Sequence, residues 1–211
     1  PLARYIDMQD SEAILRAIQK TPRNTPIDLI LHTPGGLVLA STQIARAVRA
    51  HGGKVTVFVP HMAMSGGTLI ALAADEVVMC EHSVLGPVDP QINQYPAISI
   101  IKAVRQKPIE EVDDQTLILA DISKKAIHQL REAVSSLLSP EIDAADRMRI
   151  TDALTSGRWT HDHPIFADEA EAMGFKVSTN MPVAVLDLME LYPQPTRMAP
   201  VSYTHLTLPT I

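Results

Sequence analysis

This chain of 211 residues contains little cysteine and few aromatic residues, and it has no excess of positive charge. The single cysteine, Cys80, excludes an internal disulfide and any metal site built from several thiolates. Aromatic residues make up only 4% of the chain, so the core must consist of aliphatic side chains and methionine. The net charge of −6 argues against a nucleic-acid partner, which would require a basic surface.

Long apolar runs and metal-ligand spacings are also absent from the sequence. No run approaches the roughly 20 apolar residues that cross a bilayer, and no signal peptide is visible. The histidines do not show a spacing such as His-Glu-x-x-His, so we expect neither a metal nor another cofactor. The chain starts at Pro1, which indicates a fragment, and a membrane helix could precede it in the whole protein.

Two strand–glycine–helix units follow one another in the first half of the chain. The first runs from the apolar residues 27–33 into Pro34-Gly35-Gly36, and the second from residues 54–59 into Ser65-Gly66-Gly67. Near-continuous apolar strands that alternate with helices predict an α/β fold with a mainly parallel sheet and helices on both faces. Parallel strands bring both glycine turns to one edge of the sheet, where α/β proteins place their sites.

The remaining elements extend this pattern into a helical C-terminal part. The sequence predicts helices over residues 10–20, 37–50, 65–74, 116–138, 141–154, 167–173 and 183–191, and further strands over residues 76–80 and 176–178. We interpret residues 1–192 as a single domain. Residues 193–211 form a tail outside the fold, in which residues 201–211 resemble translated adapter DNA.

Ser65 is the candidate nucleophile, because it stands where a helix begins after a strand. The first N–H groups of a helix have no intrahelical partner, and they stabilise an anion formed beside the hydroxyl. The simpler interpretation is that Ser65 only caps the helix. The paired turn favours catalysis, since the N–H groups of Gly36 and Gly66 can converge on one carbonyl oxygen as an oxyanion hole. Gly35, Gly67 and Pro87 are the residues that we expect to contact the substrate.

Several motifs together resemble a known superfamily. His-Thr-Pro-Gly-Gly at residues 32–36, Met-Ser-Gly-Gly-Thr at 64–68 and Ala-Ala-Asp-Glu-Val-Val-Met at 73–79 are similar to the Clp protease/crotonase superfamily. Residues 85–91 and 157–162 narrow the resemblance to the signal-peptide-peptidase-like serine peptidases, and within them to the serine dehydrogenase proteinase group. The resemblance covers the chain from about Ile6 to Tyr192.

The resemblance implies a prokaryotic serine peptidase that hydrolyses peptide or protein substrates through an acyl-enzyme on Ser65. It also implies a Clp protease/crotonase-like fold, self-association into a homo-oligomer, and a membrane-associated or cytoplasmic location. Two rival functions stay open at this point. A crotonase-like enzyme would use the same paired donors on an acyl-CoA thioester, and a scaffold of the same fold would catalyse nothing.

A serine hydroxyl is a weak nucleophile and needs a nearby base. Clp-type relatives use a histidine and an aspartate, and the region that corresponds to their histidine is residues 87–91 here, which holds none. Asp89 lies there between two prolines, and we interpret it as the cap of a turn. The serine–histidine–aspartate arrangement is therefore disfavoured by the sequence.

Lysine-dependent relatives take the base from a helix that follows the serine domain, which points to the predicted helix 116–138. A lysine can act as a base only where burial or a positive neighbour lowers its pKa. Lys125 lies beside Ile118 and Ile122, at the edge of the apolar stripe of this helix, where partial desolvation is expected. We therefore predict Lys125 as the base, although a solvated surface lysine is the simpler interpretation. Other candidate lysines are Lys102, Lys107, Lys124 and Lys176.

Overall fold

The computed structural model describes residues 5–192, and the predicted tail at residues 193–211 lies outside them. The strands in chain order are β1 (Ile27–Ile30), β2 (Val55–Val59), β3 (Met62–Ala63), β4 (Glu76–Met79), β5 (Val84–Leu85), β6 (Gln91–Ile92), β7 (Tyr95–Pro96) and β8 (Val177–Ser178). The helices are α1 (Met8–Lys20), α2 (Val38–Ala50), α3 (Gly66–Leu72), α4 (Ala97–Arg105), α5 (Asp114–Leu137), α6 (Ala144–Thr155), α7 (Ala167–Ala172) and α8 (Val183–Glu190), with a 3-10 turn at Ile109–Glu111.

The central sheet has four parallel strands in the order β1-β2-β4-β8. Ile27 pairs with Val55, and Val57 pairs with Val77. All five residues of β2 are buried. Because successive side chains of a strand point to opposite faces, helices and loops must cover both faces of the sheet at β2. This confirms the predicted α/β class and the parallel pairing of the two strands that precede the glycine turns.

The first two helices pack against each other beside this sheet. Asp7 caps α1, since its carboxylate accepts the N–H groups of Gln9 and Asp10 at 2.7 and 3.1 Å. The predicted start at residue 10 was therefore two residues late. The buried Ser11 of α1 donates a hydrogen bond to the Gln43 side chain of α2 at 2.8 Å, which ties the two helices together.

Two small pairs of strands lie outside the central sheet and were not predicted. β3 pairs in parallel with β5, and β6 forms an antiparallel hairpin with β7. Asn93 and Gln94 turn this hairpin with φ values of 49° and 70°. No helix or strand was predicted between residues 80 and 116, but the hairpin and then α4 occupy part of this stretch. Strands of two residues are too short to show an alternating pattern, which explains the difference.

The long helix α5 differs in one respect from its predicted apolar stripe. Leu130, Val134 and Leu137 in its second half are buried, as expected. In its first half, however, Ile118 and Ile122 are 60% and 43% exposed. The buried residues in this half of the helix are instead Ala120 and Ser123. The prediction that the two isoleucines lie in a buried stripe is therefore wrong, because the covered side of α5 is rotated away from them.

Candidate active site

Ser65 lies between β3 and α3 in a conformation that residues other than glycine rarely adopt. Its backbone has φ 49° and ψ −108°. Such a conformation costs about 1–3 kcal/mol and persists only where the surroundings hold it. Ser65 occupies the cap position of α3, yet its side chain makes no capping hydrogen bond. The half-buried hydroxyl therefore does not cap the helix, and it is available for a different role.

The two glycine turns meet at this point, as the sequence predicted. Thr33 and Ala63 form a parallel bridge, in which the Thr33 N–H donates to Met62 and the Met64 N–H donates to Thr33, both at 3.0 Å. Gly35 has a φ of 108°, and a Cβ at this position would lie 2.9 Å from Ser65 Cβ. Only glycine therefore fits beside the serine. Gly35 is buried, and its backbone packs directly against Ser65.

The amides of Gly36 and Gly66 both lie beside this junction without a partner. Ile6 bridges to Gly36 by donating its N–H to the Gly35 carbonyl and accepting the Leu37 N–H, at 2.8 and 2.9 Å. In a parallel bridge of this kind, the N–H of the middle residue points away from the partner strand. A Cβ on Gly66 would stand 3.4 Å from the Gly36 nitrogen. Among the described residues, neither amide N–H has a hydrogen-bond acceptor.

A histidine and an aspartate that are distant in sequence form a tight pair. Nδ1 of His161 lies 2.6 Å from Oδ1 of Asp89. The other oxygen of Asp89 accepts a hydrogen bond from the Gln91 side chain at 2.6 Å. Because a carboxylate only accepts, Nδ1 donates, which leaves Nε2 of His161 as the nitrogen able to take a proton. The interpretation of Asp89 as a turn cap is wrong, since both of its oxygens bind side chains.

The electrostatic surroundings favour the charged form of His161. Its pKa is raised, first by the hydrogen bond to Asp89 and then by the negative charges of Asp89 and Asp162, while partial burial acts in the opposite direction. Asp89 is only 6% exposed, so water screens its attraction for the imidazolium little. An aspartate that orients a histidine and stabilises its protonated form is the arrangement that serine hydrolases use to activate the hydroxyl.

The strand register connects this pair to the serine. In the pairing of β3 with β5, Met62 lies opposite Val84 and Ala63 opposite Leu85. A Cβ on Gly86 would lie 3.5 Å from Cα of Met64, so the segment after β5 still runs beside the residue that precedes Ser65. On the other side of β5, Leu85 and Ile165 exchange two backbone hydrogen bonds of 2.9 Å in an antiparallel bridge. The segment that carries Asp89 therefore runs between the serine turn and the loop that carries His161.

The structure places the predicted base, Lys125, in a different environment from the one expected. Its side chain is 68% exposed, and its ammonium group pairs with Asp121 at 2.6 Å, one helical turn earlier on α5. The amine thus lies in solvent beside a carboxylate instead of in a desolvated cleft. The exposure of Ile118 and Ile122 has the same cause, since this side of α5 faces outward. His161 was not predicted as the base from the sequence, because the histidine of Clp-type relatives was expected within residues 87–91.

Thr68 fixes α3 to the segment that leads to Asp89. Its buried Oγ1 lies 2.8 Å from the carbonyl oxygens of Ala63 and Gly86. Oγ1 also accepts the Gly86 N–H at 3.0 Å. Gly67, in the same buried turn, donates its N–H to Met64 at 2.7 Å. These bonds hold the backbone behind Ser65 rigid, which a site with aligned donors requires.

Replacing Thr68 by valine is expected to lower the free energy of unfolding by about 1–3 kcal/mol, because it leaves buried backbone groups unpaired. The matched control is Thr151→Val. The buried Thr151 hydroxyl has no partner among the described residues, so its removal should not lower the free energy of unfolding. Urea unfolding of both variants measures the difference. Equal stability of the two variants would show that the Thr68 bonds do not hold the turn.

A comparison with known families agrees with this geometry over almost the whole chain. The model of the ClpP-like SDH-type serine proteinase family matches residues 1–210. The chain belongs to this family. The resemblance to the serine dehydrogenase proteinase group and the Clp-type fold expected from the sequence are thereby confirmed.

Members and more distant relatives of this ClpP-like family occur in prokaryotes. The chain is 58% identical to the uncharacterized protein MJ0137 of Methanocaldococcus jannaschii over 197 residues, which cover 93% of the chain and 69% of that protein. It is 54% identical to the uncharacterized protein MJ1495 of the same archaeon over 203 residues, which cover 96% of the chain and 69% of that protein. The membrane protein NfeD1b of Bacillus subtilis is 29% identical over 69% of the chain and 32% of its own length. Within residues 5–192, no helix has the length and apolar character of a membrane span.

Proposed function

We propose that the protein is a serine peptidase in which Ser65 is the nucleophile and His161, oriented by Asp89, is the general base. The observation that carries the proposal is the 2.6 Å hydrogen bond between His161 and the buried Asp89, on a segment held against the serine turn. The free hydroxyl of Ser65, which makes no capping bond, supports the same assignment. Lys125 is the alternative base, and it is the weaker one because its ammonium group is exposed and paired.

The reaction follows from these roles in two stages. In the first, Nε2 of His161 takes the proton from Ser65 Oγ as the oxygen attacks the carbonyl carbon of the peptide bond. The same nitrogen then gives this proton to the leaving amine, and the acyl group stays on Ser65. In the second stage, His161 takes a proton from a water molecule as its oxygen attacks the ester carbonyl carbon, and it returns that proton to Ser65 Oγ as the acid leaves. Asp89 holds the ring in the required tautomer and stabilises its charge in both stages.

The negative charge that develops on the carbonyl oxygen requires donors that are already in place. The N–H groups of Gly36 and Gly66 are the donors we assign, because both lie at the serine turn and neither has a competing acceptor within residues 5–192. Donors that need no rearrangement stabilise the transition state more than the ground state, and removal of one such donor lowers turnover by about 10²–10³-fold. Gly35 lies against Ser65, and we propose that the peptide main chain passes along Gly35, Gly67 and Pro87.

Assembly and location are part of the proposal and rest on relatives. A ClpP-like family favours peptide substrates and a homo-oligomer. Association with a membrane is supported by the likeness to a protein that is itself named as a membrane protein. We propose that any such attachment comes from segments other than the helices within residues 5–192, none of which could span a bilayer.

A fluorophosphonate probe tests the proposed function without knowledge of the natural substrate. We expect the purified protein to be labelled, and peptide mapping by mass spectrometry to place the modification on Ser65 alone. A parallel incubation with an acyl-CoA thioester measures release of free thiol. Thiol release without labelling would favour the crotonase-like enzyme, and the absence of both reactions would favour a scaffold without activity. Labelling at another serine would contradict the assignment of the nucleophile.

A further inference from the structure

A buried serine on α2 lies next to the two proposed oxyanion donors and has no hydrogen-bond partner. Ser41 is 0% exposed, and among the described residues its hydroxyl finds no donor or acceptor. A Cβ added to Gly66 would stand 2.2 Å from Oγ of Ser41 and 3.4 Å from the Gly36 nitrogen. The hydroxyl and the Gly36 amide therefore approach the same side of the Gly66 backbone.

The Ser41 hydroxyl is free to reorient in its present surroundings. The usual acceptor for a serine within a helix is the carbonyl four residues earlier. Here that carbonyl, on Leu37, accepts the Ser41 N–H at 3.0 Å, and the hydroxyl does not bind it. A buried hydroxyl without a partner lowers stability relative to a paired one. Alanine would fill this position without that penalty, so packing alone does not account for serine here.

We propose that Ser41 is a positioning residue of the oxyanion hole, an inference that rests on the proposed function. As negative charge develops between the Gly36 and Gly66 amides, the Ser41 O–H rotates its positive end toward the charge. Ser41 lies behind Gly66 and acts across it without touching the substrate. Because no ground-state acceptor holds the hydroxyl, its interaction grows mainly in the transition state. The low dielectric of a fully buried position makes such a dipole more effective than it would be in water.

The variant Ser41→Ala tests this inference through the kinetics of fluorophosphonate labelling. We expect the limiting labelling rate to fall by about tenfold, less than the ~10²–10³-fold loss that follows removal of a direct donor. The probe concentration at half-saturation should stay unchanged, since the hydroxyl does not contact the probe. The melting temperature should stay the same or rise, because the substitution removes an unpaired buried hydroxyl. A purely structural role for Ser41 would not produce this combination.

Ser123→Ala is the matched control, because Ser123 on α5 is also 0% exposed and its hydroxyl also has no partner among the described residues. This variant should react with the probe at the wild-type rate. The Ser41 inference is overturned if Ser41→Ala reacts as fast as wild type, or if both variants are slowed equally. Failure of the proposed function looks different, since the wild-type protein itself would then show no labelling at Ser65.

Discussion

Replacement of Ser65 by alanine is expected to abolish hydrolysis and fluorophosphonate labelling while the fold survives. Removal of the nucleophile from a serine protease lowers kcat by about 10⁶-fold, and the same order is expected here with fluorescein-labelled casein as the substrate. The physical reason is that no other oxygen can take its place. The Gly36 and Gly66 amides and His161 would still polarise a bound carbonyl. None of them supplies the oxygen that forms the acyl-enzyme.

A second substitution at the same position separates catalysis from backbone strain. Ser65→Gly should be as inactive as Ser65→Ala, but it should melt at a higher temperature. Glycine adopts the observed φ of 49° without the steric cost that any Cβ brings. Thermal unfolding followed by circular dichroism compares the two variants. Turnover of casein by Ser65→Ala at even one hundredth of the wild-type rate would rule out Ser65 as the nucleophile.

The parts of the fold that local signals determine were predicted correctly. The strand that begins at Ile27, the strand that ends at Val59 and the turn at Ser65 all lie where β-branched runs and glycines indicated. Such signals span a few residues and depend little on the rest of the chain. The pairing of β3 with β5 was not predicted, because two-residue strands exist only through contacts with distant segments.

The candidate site could be predicted in part for the same reason. Ser65 and the two glycine turns are local features, whereas His161 and Asp89 are separated by 72 residues. No periodicity relates two such positions, so only the fold reveals the pair. The environment expected for Lys125 failed for a different reason. A helical wheel correctly places it beside Ile118 and Ile122, but it does not tell which side of α5 the neighbouring α4 covers.

Two motifs in the sequence nevertheless contain the residues that we propose as the base and its orienting partner. Asp89 lies in the proline-rich stretch at residues 85–91, and His161 lies in residues 157–162, and both stretches carried the family resemblance. A search for the acid and the base in either order would have included both residues among the candidates, although only the fold shows that they form a pair. The chemistry requires only that the imidazole lies between the carboxylate and the hydroxyl, and it places no condition on which residue comes first in the chain.

The largest effect after loss of Ser65 is expected from the pair formed by His161 and Asp89. Asp89→Asn should lower kcat/KM by about 10⁴-fold, the loss seen when an amide replaces the orienting carboxylate of a serine protease triad. An asparagine side chain can donate to Nδ1, which selects the tautomer that presents a proton to the serine instead of a lone pair. His161→Ala should approach the inactivity of Ser65→Ala, because the hydroxyl then has no base.

The pH dependence of kcat/KM gives a second measure of the same pair. His161 acts as a base only when neutral, so activity should rise with pH as its proton leaves. Because Asp89 and Asp162 raise the pKa of His161, this rise should be centred above the ordinary value of about 6.5. In Asp89→Asn, the negative charge and the hydrogen bond from Nδ1 to a carboxylate are both lost, so the residual activity should rise at a lower pH than in wild type.

Two variants provide the controls for this assignment. Asp162→Asn removes a charge that contributes to the raised pKa of His161 without removing the hydrogen bond. It should shift the activity profile slightly toward lower pH while most of the maximal rate remains.

Lys125→Arg should keep near-normal activity, because an exposed, paired ammonium group has no part in the reaction. Arginine stays protonated at any working pH and cannot act as a base. Loss of activity in Lys125→Arg together with a normal rate in Asp89→Asn would therefore replace the His161 mechanism with the lysine one.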